Sequence, residues 1–403
     1  MTLYFIIFLL FSVYITELTS TEIQRNPVII VHGDAGSQMQ LKLNKTSSPH
    51  FWCSKKSDWF TNWLSLEELL PEVLDCFTDN MRLVFNTSDG SYSNSPGVQA
   101  RMPYFGGTTG IEYLDPSTKE VGEYFASFVQ GLVDTGYVRG MSIRAAPYDF
   151  RKSPDLTGDY FNKLKNLIEE TFAINRNMPV VLVCHSLGCP YSSIFLQQQE
   201  QQWKNKYLRL WMTISAPWGG SVKTLKLYAS GYTFGIPRIV INPLKLRLFQ
   251  RSIKSSIYLL PSKKFWKPDH IFVRTERRNY TINDYDVFFK DIGYPIAIDM
   301  YKLVPPVFTE EPPNVPVLCL YGSNINTPVS YVYKSGSFPD GSPVEVMSNG
   351  DGTVPLNSLN GCKRWQQDQP VVVKDFPSNE HNGILRNKTF IDFVKDVLYN
   401  STF

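Results

Sequence analysis

The sequence predicts an α/β fold built on a mainly parallel sheet, and three observations lead there. First, Pro27-Val-Ile-Ile-Val31, Pro179-Val-Val-Leu-Val183 and Val315-Pro-Val-Leu-Cys-Leu-Tyr321 are short apolar runs without alternation, as expected of strands covered by helices on both faces. Second, each run enters a glycine-bearing turn, at Gly33, at Ser186–Gly188 and at Gly322; α/β proteins place chemistry at such carboxyl ends. Third, Tyr160, Leu164, Leu167, Ile168 and Phe172 recur at helical spacing over Asp159 to Ala173, and a second helix is expected from Cys189 to Gln199. Strand and helix alternate, as in a doubly wound sheet.

The chain opens on an apolar run from Leu3 to Ile15, followed by Glu17 and small polar residues. It is shorter than the roughly 20 residues that span a bilayer and has the length of a signal peptide, expected over 1–20. The N-x-Ser/Thr sequons at Asn44, Asn86, Asn279, Asn387 and Asn400 agree with secretory passage. Cysteine usage agrees as well. Cys53 with Cys76, and Cys319 with Cys362, bracket two segments and read as local disulfides, each worth roughly 2–4 kcal/mol. Cys184 and Cys189 straddle the Ser186 turn and are expected to be free. No CxxC pair exists among the six cysteines, so no metal is expected, nor any cofactor. A net charge of +3 provides no basic face that would call for nucleic acid.

Val180-Val-Leu-Val-Cys-His-Ser-Leu-Gly188 carries the strongest local signal. A strand, a sharp turn with serine at its apex and then a helix form a nucleophile elbow, the hallmark of the α/β-hydrolase fold. The turn demands small residues two before and two after the serine; Gly188 complies, and Cys184 is small enough. A serine hydroxyl attacks only when a base removes its proton. Of the five histidines, His185 adjoins the serine, His270 falls in an inserted region, and His32 and His50 precede the elbow. His381 alone lies in a loop after a plausible last strand, Pro370–Asp375, and before a final helix. The acid should fall between Ser and His in sequence. Asp351 does, flanked by Gly350 and Gly352, which free it to turn inward. Backbone N–H groups of Leu187 and of Asp34, in the turn His32-Gly33-Asp34-Ala35-Gly36, are the candidate oxyanion donors.

Two stretches interrupt the alternation. Residues 53–76 read as an amphipathic loop-helix, with Trp59, Phe60, Trp63, Leu64, Leu66, Leu69, Leu70, Val73 and Leu74 near helical spacing and Lys55 and Lys56 beside them. Residues 217–316, rich in Pro, Lys and aromatics, read as an insertion, because compact loops are short.

Several longer motifs carry a resemblance. Ile29–Gln38, Asp79–Asn86, Arg144-Ala-Ala-Pro-Tyr-Asp-Phe-Arg151, Ser215-Ala-Pro-Trp-Gly-Gly220 and Cys319–Gly322 are similar, in collinear order, to the family of lecithin–cholesterol acyltransferases and lysosomal phospholipases A2. The resemblance implies a hydrolase core over 21–52, 77–216 and 317–403, a membrane-binding subdomain over 53–76, and a cap with a lid over 217–316. It matches Ser186, Asp351 and His381 to the triad and supports the two cysteine pairs. It makes Trp59, Phe60, Trp63 and Leu64 candidates for membrane contact. Asp34 resembles the lysosomal branch, where the plasma sterol acyltransferases carry Cys, whereas Cys189 resembles the sterol branch. His32 stands where the family usually shows Pro, and Ala229–Gly235 lacks the lid's expected Asp-Asn.

The expected activity is that of a serine phospholipase or O-acyltransferase, passing an acyl group from a phospholipid to water or a lipid alcohol at a membrane surface, in the lysosome or after secretion. A sterol acyltransferase is the alternative within the same chemistry, and an inactive hydrolase-fold adhesion module the alternative of another class. The acceptor, the sn-position and the oligomeric state stay open at this level.

Overall fold

The computed structural model describes residues 25–233 and 241–399; the expected signal peptide and Asn400 lie outside them. The chain starts with β1 (Val28–Val31), β2 (Met39–Asn44) and β3 (Lys56–Trp63). A hairpin of β4 (Leu83–Phe85) and β5 (Tyr92–Asn94) follows, then β6 (Val98–Arg101) and β7 (Ile143–Ala145). The strands β8 (Val180–His185) and β9 (Leu208–Ile214) come next, then two short strands, β10 (Val273–Arg274) and β11 (Asn279–Tyr280). The last are β12 (Val317–Ser323), β13 (Ile325–Val332), β14 (Val344–Gly350) and β15 (Val371–Pro377).

Six strands form the central sheet in the order β15-β12-β9-β8-β1-β7, with every neighbouring pair parallel. The apolar strand runs now have their reason. Ile29, Val31, Leu182 and Cys184 point into one hydrophobic cluster, with Leu164, Leu167 and Ile168 from the helix Tyr160–Ile174 and Phe195 from Gly188–Gln197. The alternate residues Val28, Ile30, Val181 and Val183 enter the opposite cluster, with Phe128 and Leu132 from Ala126–Val133 and Phe390, Ile391 and Val394 from Lys388–Tyr399. Both faces are therefore sealed, and each buried Val, Ile or Leu contributes about 1.5–3 kcal/mol. The expected α/β-hydrolase core is present. Its strands β7 and β9 were not anticipated from the sequence.

The 53–76 stretch departs from expectation. Its first half is the strand β3, antiparallel to β2, which also pairs with β6. Helix begins only at Leu74, after a 3-10 turn at Glu67–Leu69. Aromatic residues favour a pleated, half-buried surface, and pairing with β2 overrides the helical spacing. Cys53–Cys76 and Cys319–Cys362 are both disulfide-bonded. Residues 223–302 contribute five helices among the described residues and pack around a third cluster that includes Phe272, Phe288 and Tyr331. The strand β10 from this region pairs with β13, which in turn pairs with β14, so the strand leading to Asp351 is continuous with the inserted region.

Candidate active site

Strand β8 ends at His185, and Ser186 takes a left-handed backbone conformation with φ 51°. Such a conformation costs a residue with a Cβ on the order of 1–3 kcal/mol and persists only where its surroundings enforce it. Here the Ser186 N–H donates to Ile214 O at 2.9 Å, and Ser186 O accepts from Cys189 N at 3.0 Å. Packing explains the small neighbours: a Cβ on Gly188 would lie 2.3 Å from His32 O, and one on Gly33 would lie 2.8 Å from Ser186 Cβ. The turn after β1 is thus pressed directly onto the elbow. One expectation is corrected. Cys184 and Cys189 are not free; they form a disulfide, because the sharp turn folds the helix start back onto the strand end and brings their Cα atoms to 5.0 Å.

From nearly 200 residues away in sequence, the loop after β15 brings His381 to this serine. Its Nε2 lies 2.9 Å from Ser186 Oγ, and its Nδ1 lies 2.7 Å from Asp351 Oδ2. An ionised carboxylate can only accept, so Nδ1 carries the proton and Nε2 presents a lone pair to the hydroxyl. Asp351 is fully buried. Its other oxygen, Oδ1, accepts from Thr353 N at 3.0 Å and Val354 N at 2.7 Å, while its carbonyl accepts from His381 N at 2.8 Å. Backbone on both sides therefore fixes the acid and the imidazole together. Ser186 and His381 are each 8% exposed, enough to meet a substrate in an otherwise dry site. The residues at 186, 351 and 381 are brought together as the sequence pattern required.

Of the two expected oxyanion donors, Leu187 follows the serine directly, and Asp34 follows Gly33, which packs against the serine. The N–H groups of Leu187 and Asp34 have no hydrogen-bond partner among the described residues, so both remain available to an oxygen. Burial pushes the Asp34 carboxyl up to about 7, against a lowering hydrogen bond from Ala35 N–H. By accessible surface, however, Asp34 is exposed. Water therefore screens part of the burial cost, and the direction of the shift is what matters below. Sequence reasoning missed Tyr124. Its hydroxyl accepts from Gly33 N–H at 2.9 Å and contacts His185 Nδ1 at 2.6 Å, while His185 Nε2 lies 2.9 Å from His381 O. A carbonyl can only accept, so His185 donates through Nε2 and accepts at Nδ1 from Tyr124. Burial, and secondarily the neighbouring His381, holds the His185 ring well below the usual imidazole range, so it is a neutral strut. Nothing in the spacing of Tyr124 could have revealed this.

The candidate membrane residues fare unevenly. Trp63 is corrected: it is 4% exposed, packs near Phe77 and Phe150, and donates its indole N–H to Ala35 O at 2.7 Å. It belongs to the core because β3 points it inward. Trp59 is half-buried beneath the Arg101 guanidinium, and Phe60 and Leu64 are half-buried against the core. Exposed aromatics beside this segment are instead Phe51, at 93%, and Trp52, just before Cys53. Trp52 stacks on His50 and donates to Glu72 O. Of the sequons, Asn44, Asn86 and Asn279 are exposed, and Asn387 is partly buried, its Oδ1 accepting from Phe390 N.

Comparison with known proteins sets this geometry in context. The family model described as "Lecithin:cholesterol acyltransferase" matches residues 59–306 and 301–395. The chain is 45% identical to the "Lysosomal phospholipase A and acyltransferase" of Canis lupus familiaris over 93% of this chain and 92% of that one. It is also 45% identical to the human protein of that name, over 92% and 90%. Identity to the human "Phosphatidylcholine-sterol acyltransferase" is 38%, over 96% and 88%. Among solved structures, the Tle4–Tli4 complex contains a chain of similar fold, with a TM-score of 0.51 and 12% identity over 93% of this chain and 98% of that one.

Proposed function

The chain belongs to the lecithin:cholesterol acyltransferase family, and from that premise we propose that it cleaves phospholipid acyl esters as a phospholipase A and transacylase. The observation that carries the reading is the unbroken hydrogen-bond sequence from Ser186 Oγ through His381 to Asp351. His381 Nε2 takes the Ser186 proton as Oγ bonds to the acyl carbonyl carbon. The carbonyl oxygen becomes an oxyanion held by the N–H groups of Asp34 and Leu187, each worth about 2.7–4 kcal/mol in the transition state. The C–O bond to the glycerol oxygen then breaks, His381 returns its proton to that oxygen, and the lysophospholipid leaves an acyl-Ser186 ester. Water, or the hydroxyl of a lipid alcohol, attacks this ester by the same steps in reverse, with His381 taking the acceptor's proton.

Phe51 and Trp52, beside Lys55 and Lys56, suit a headgroup interface, because aromatic rings combine an apolar body with polar edges. The phospholipase branch is favoured over sterol transfer by the higher identity to the lysosomal relatives and by Asp34. A carboxyl raised towards 7 is neutral in an acid lumen, where it does not oppose a neighbouring oxyanion. The site of action is accordingly the lysosome, reached through the secretory route. Ser186→Ala should abolish fatty-acid release from phosphatidylcholine liposomes at acid pH; release within tenfold of wild type would refute the assignment.

A further inference from the structure

The turn that offers the Asp34 N–H contains a histidine that the mechanism above does not use. His32 is fully buried, and its ring lies flat against Tyr148, with centroids 4.3 Å apart and planes within 7°. Its Nδ1 is 2.8 Å from Gly33 O, and its Nε2 is 3.1 Å from Tyr148 N. A backbone N–H can only donate and a carbonyl can only accept. Nε2 must therefore be the acceptor, and the ring proton must sit on Nδ1, facing Gly33 O. Both contacts demand the same tautomer. Burial pushes His32 down to about 4, so the ring is neutral over the range in which that tautomer is needed.

The consequence follows from peptide geometry. Gly33 C=O and Asp34 N–H belong to one planar trans unit and point in opposite directions. Whatever holds the oxygen aims the N–H. Gly33 O is held twice, by His32 Nδ1–H and by Gly36 N–H at 3.1 Å. The Tyr148 hydroxyl donates to His32 O at 3.0 Å, so His32 is itself gripped at backbone and ring. We propose that His32 is a positioning residue that orients the Gly33–Asp34 peptide so that the Asp34 N–H addresses the oxyanion formed at Ser186.

This inference rests on the acyl-enzyme reading. Its test uses the full chain with His32→Phe, His32→Asn and His32→Gln, assayed on a soluble p-nitrophenyl ester with thermal melting alongside. Phenylalanine keeps the stack and loses both ring hydrogen bonds. Asparagine can place Nδ2 where Nδ1 stood and so keep the donor to Gly33 O. Glutamine can reproduce the acceptor for Tyr148 N–H but not the donor. The expected result is a kcat reduced about tenfold to a hundredfold in the Phe and Gln variants, with KM within about twofold of wild type, since a misaimed donor weakens the transition state alone. The Asn variant should keep kcat within about threefold of wild type although its Tm falls.

The inference is overturned if His32→Phe keeps wild-type kcat, or if activity in the three variants simply tracks Tm. Should the Phe variant not fold, the comparison of Asn with Gln decides by the same criterion. Stoichiometric labelling of wild-type Ser186 by a fluorophosphonate, run in parallel, separates the two levels. Absence of labelling in wild type would sink the acyl-enzyme reading, whereas labelled wild type with an unaffected His32→Phe variant would sink only the role of His32.

Discussion

Replacing Asp34 by Asn tests whether the carboxyl beside the oxyanion donor governs the response to pH. Burial raises this group to about 7, and an ionised carboxylate near a developing oxyanion opposes it, whereas the neutral acid does not. With its pKa raised above the ordinary carboxylate range, the group is largely neutral at pH 5 and largely ionised at pH 8. If only the neutral form supports turnover, kcat/KM should fall several-fold between these values. Asparagine keeps the size of the side chain and cannot ionise, so Asp34→Asn should lose that fall and retain activity at pH 8. A soluble ester is the right substrate, because liposome binding has a pH dependence of its own. The stability sign is independent and testable on the same samples. A carboxyl whose folded pKa is raised contributes its stability below its unfolded pKa and loses it as pH rises through the folded one. Asp34→Asn should therefore raise Tm at pH 8 more than at pH 5. An alkaline decline of equal slope in both proteins would refute the reasoning.

Trp63→Ala should remove about 3–5 kcal/mol of stability and reduce hydrolysis of soluble esters and liposomes alike, because Trp63 is core and braces Ala35 beside the oxyanion turn; a defect seen only on liposomes would contradict its burial. Phe51→Ala combined with Trp52→Ala should weaken sedimentation with liposomes while sparing the soluble ester, and unchanged sedimentation would remove this face from the membrane contact. A non-reducing digest should yield Cys184 and Cys189 in linked form. Replacing both by Ser should cost about 2 kcal/mol by loop closure over so short a ring, read from denaturant melts, and free thiols at both positions in the folded protein would contradict the pairing.

What could be read in advance was whatever depends on local pattern. Val180 to Gly188 announced the elbow because strand burial, a strained serine and an obligatory glycine coincide in nine residues. His381 and Asp351 could be chosen because histidines are few and the order of the triad in this fold is fixed. Other features depend on contacts between distant segments. The helical spacing from Trp59 to Leu74 gave way to β3 once β2 offered a partner, and that pairing turned Trp63 inward. Strand β9 escaped notice because Leu208-Arg-Leu-Trp-Met-Thr-Ile214 contains an arginine and meets its glycines only at Gly219 and Gly220, several residues after it ends. The Cys184–Cys189 bond depends on how sharply the elbow folds, and the Gly33–Tyr124–His185–His381 strut joins four separate parts of the chain. Neither leaves a mark on spacing.

The central claim is that Ser186 carries the acyl group, and the most direct measurement is to find where a covalent probe resides. Full-length protein treated with an alkyl fluorophosphonate and digested should show one modified peptide, with the adduct on Ser186, and prior incubation with phospholipid should slow its formation. An adduct on another residue, or liposome hydrolysis that continues after stoichiometric modification of Ser186, would contradict the account.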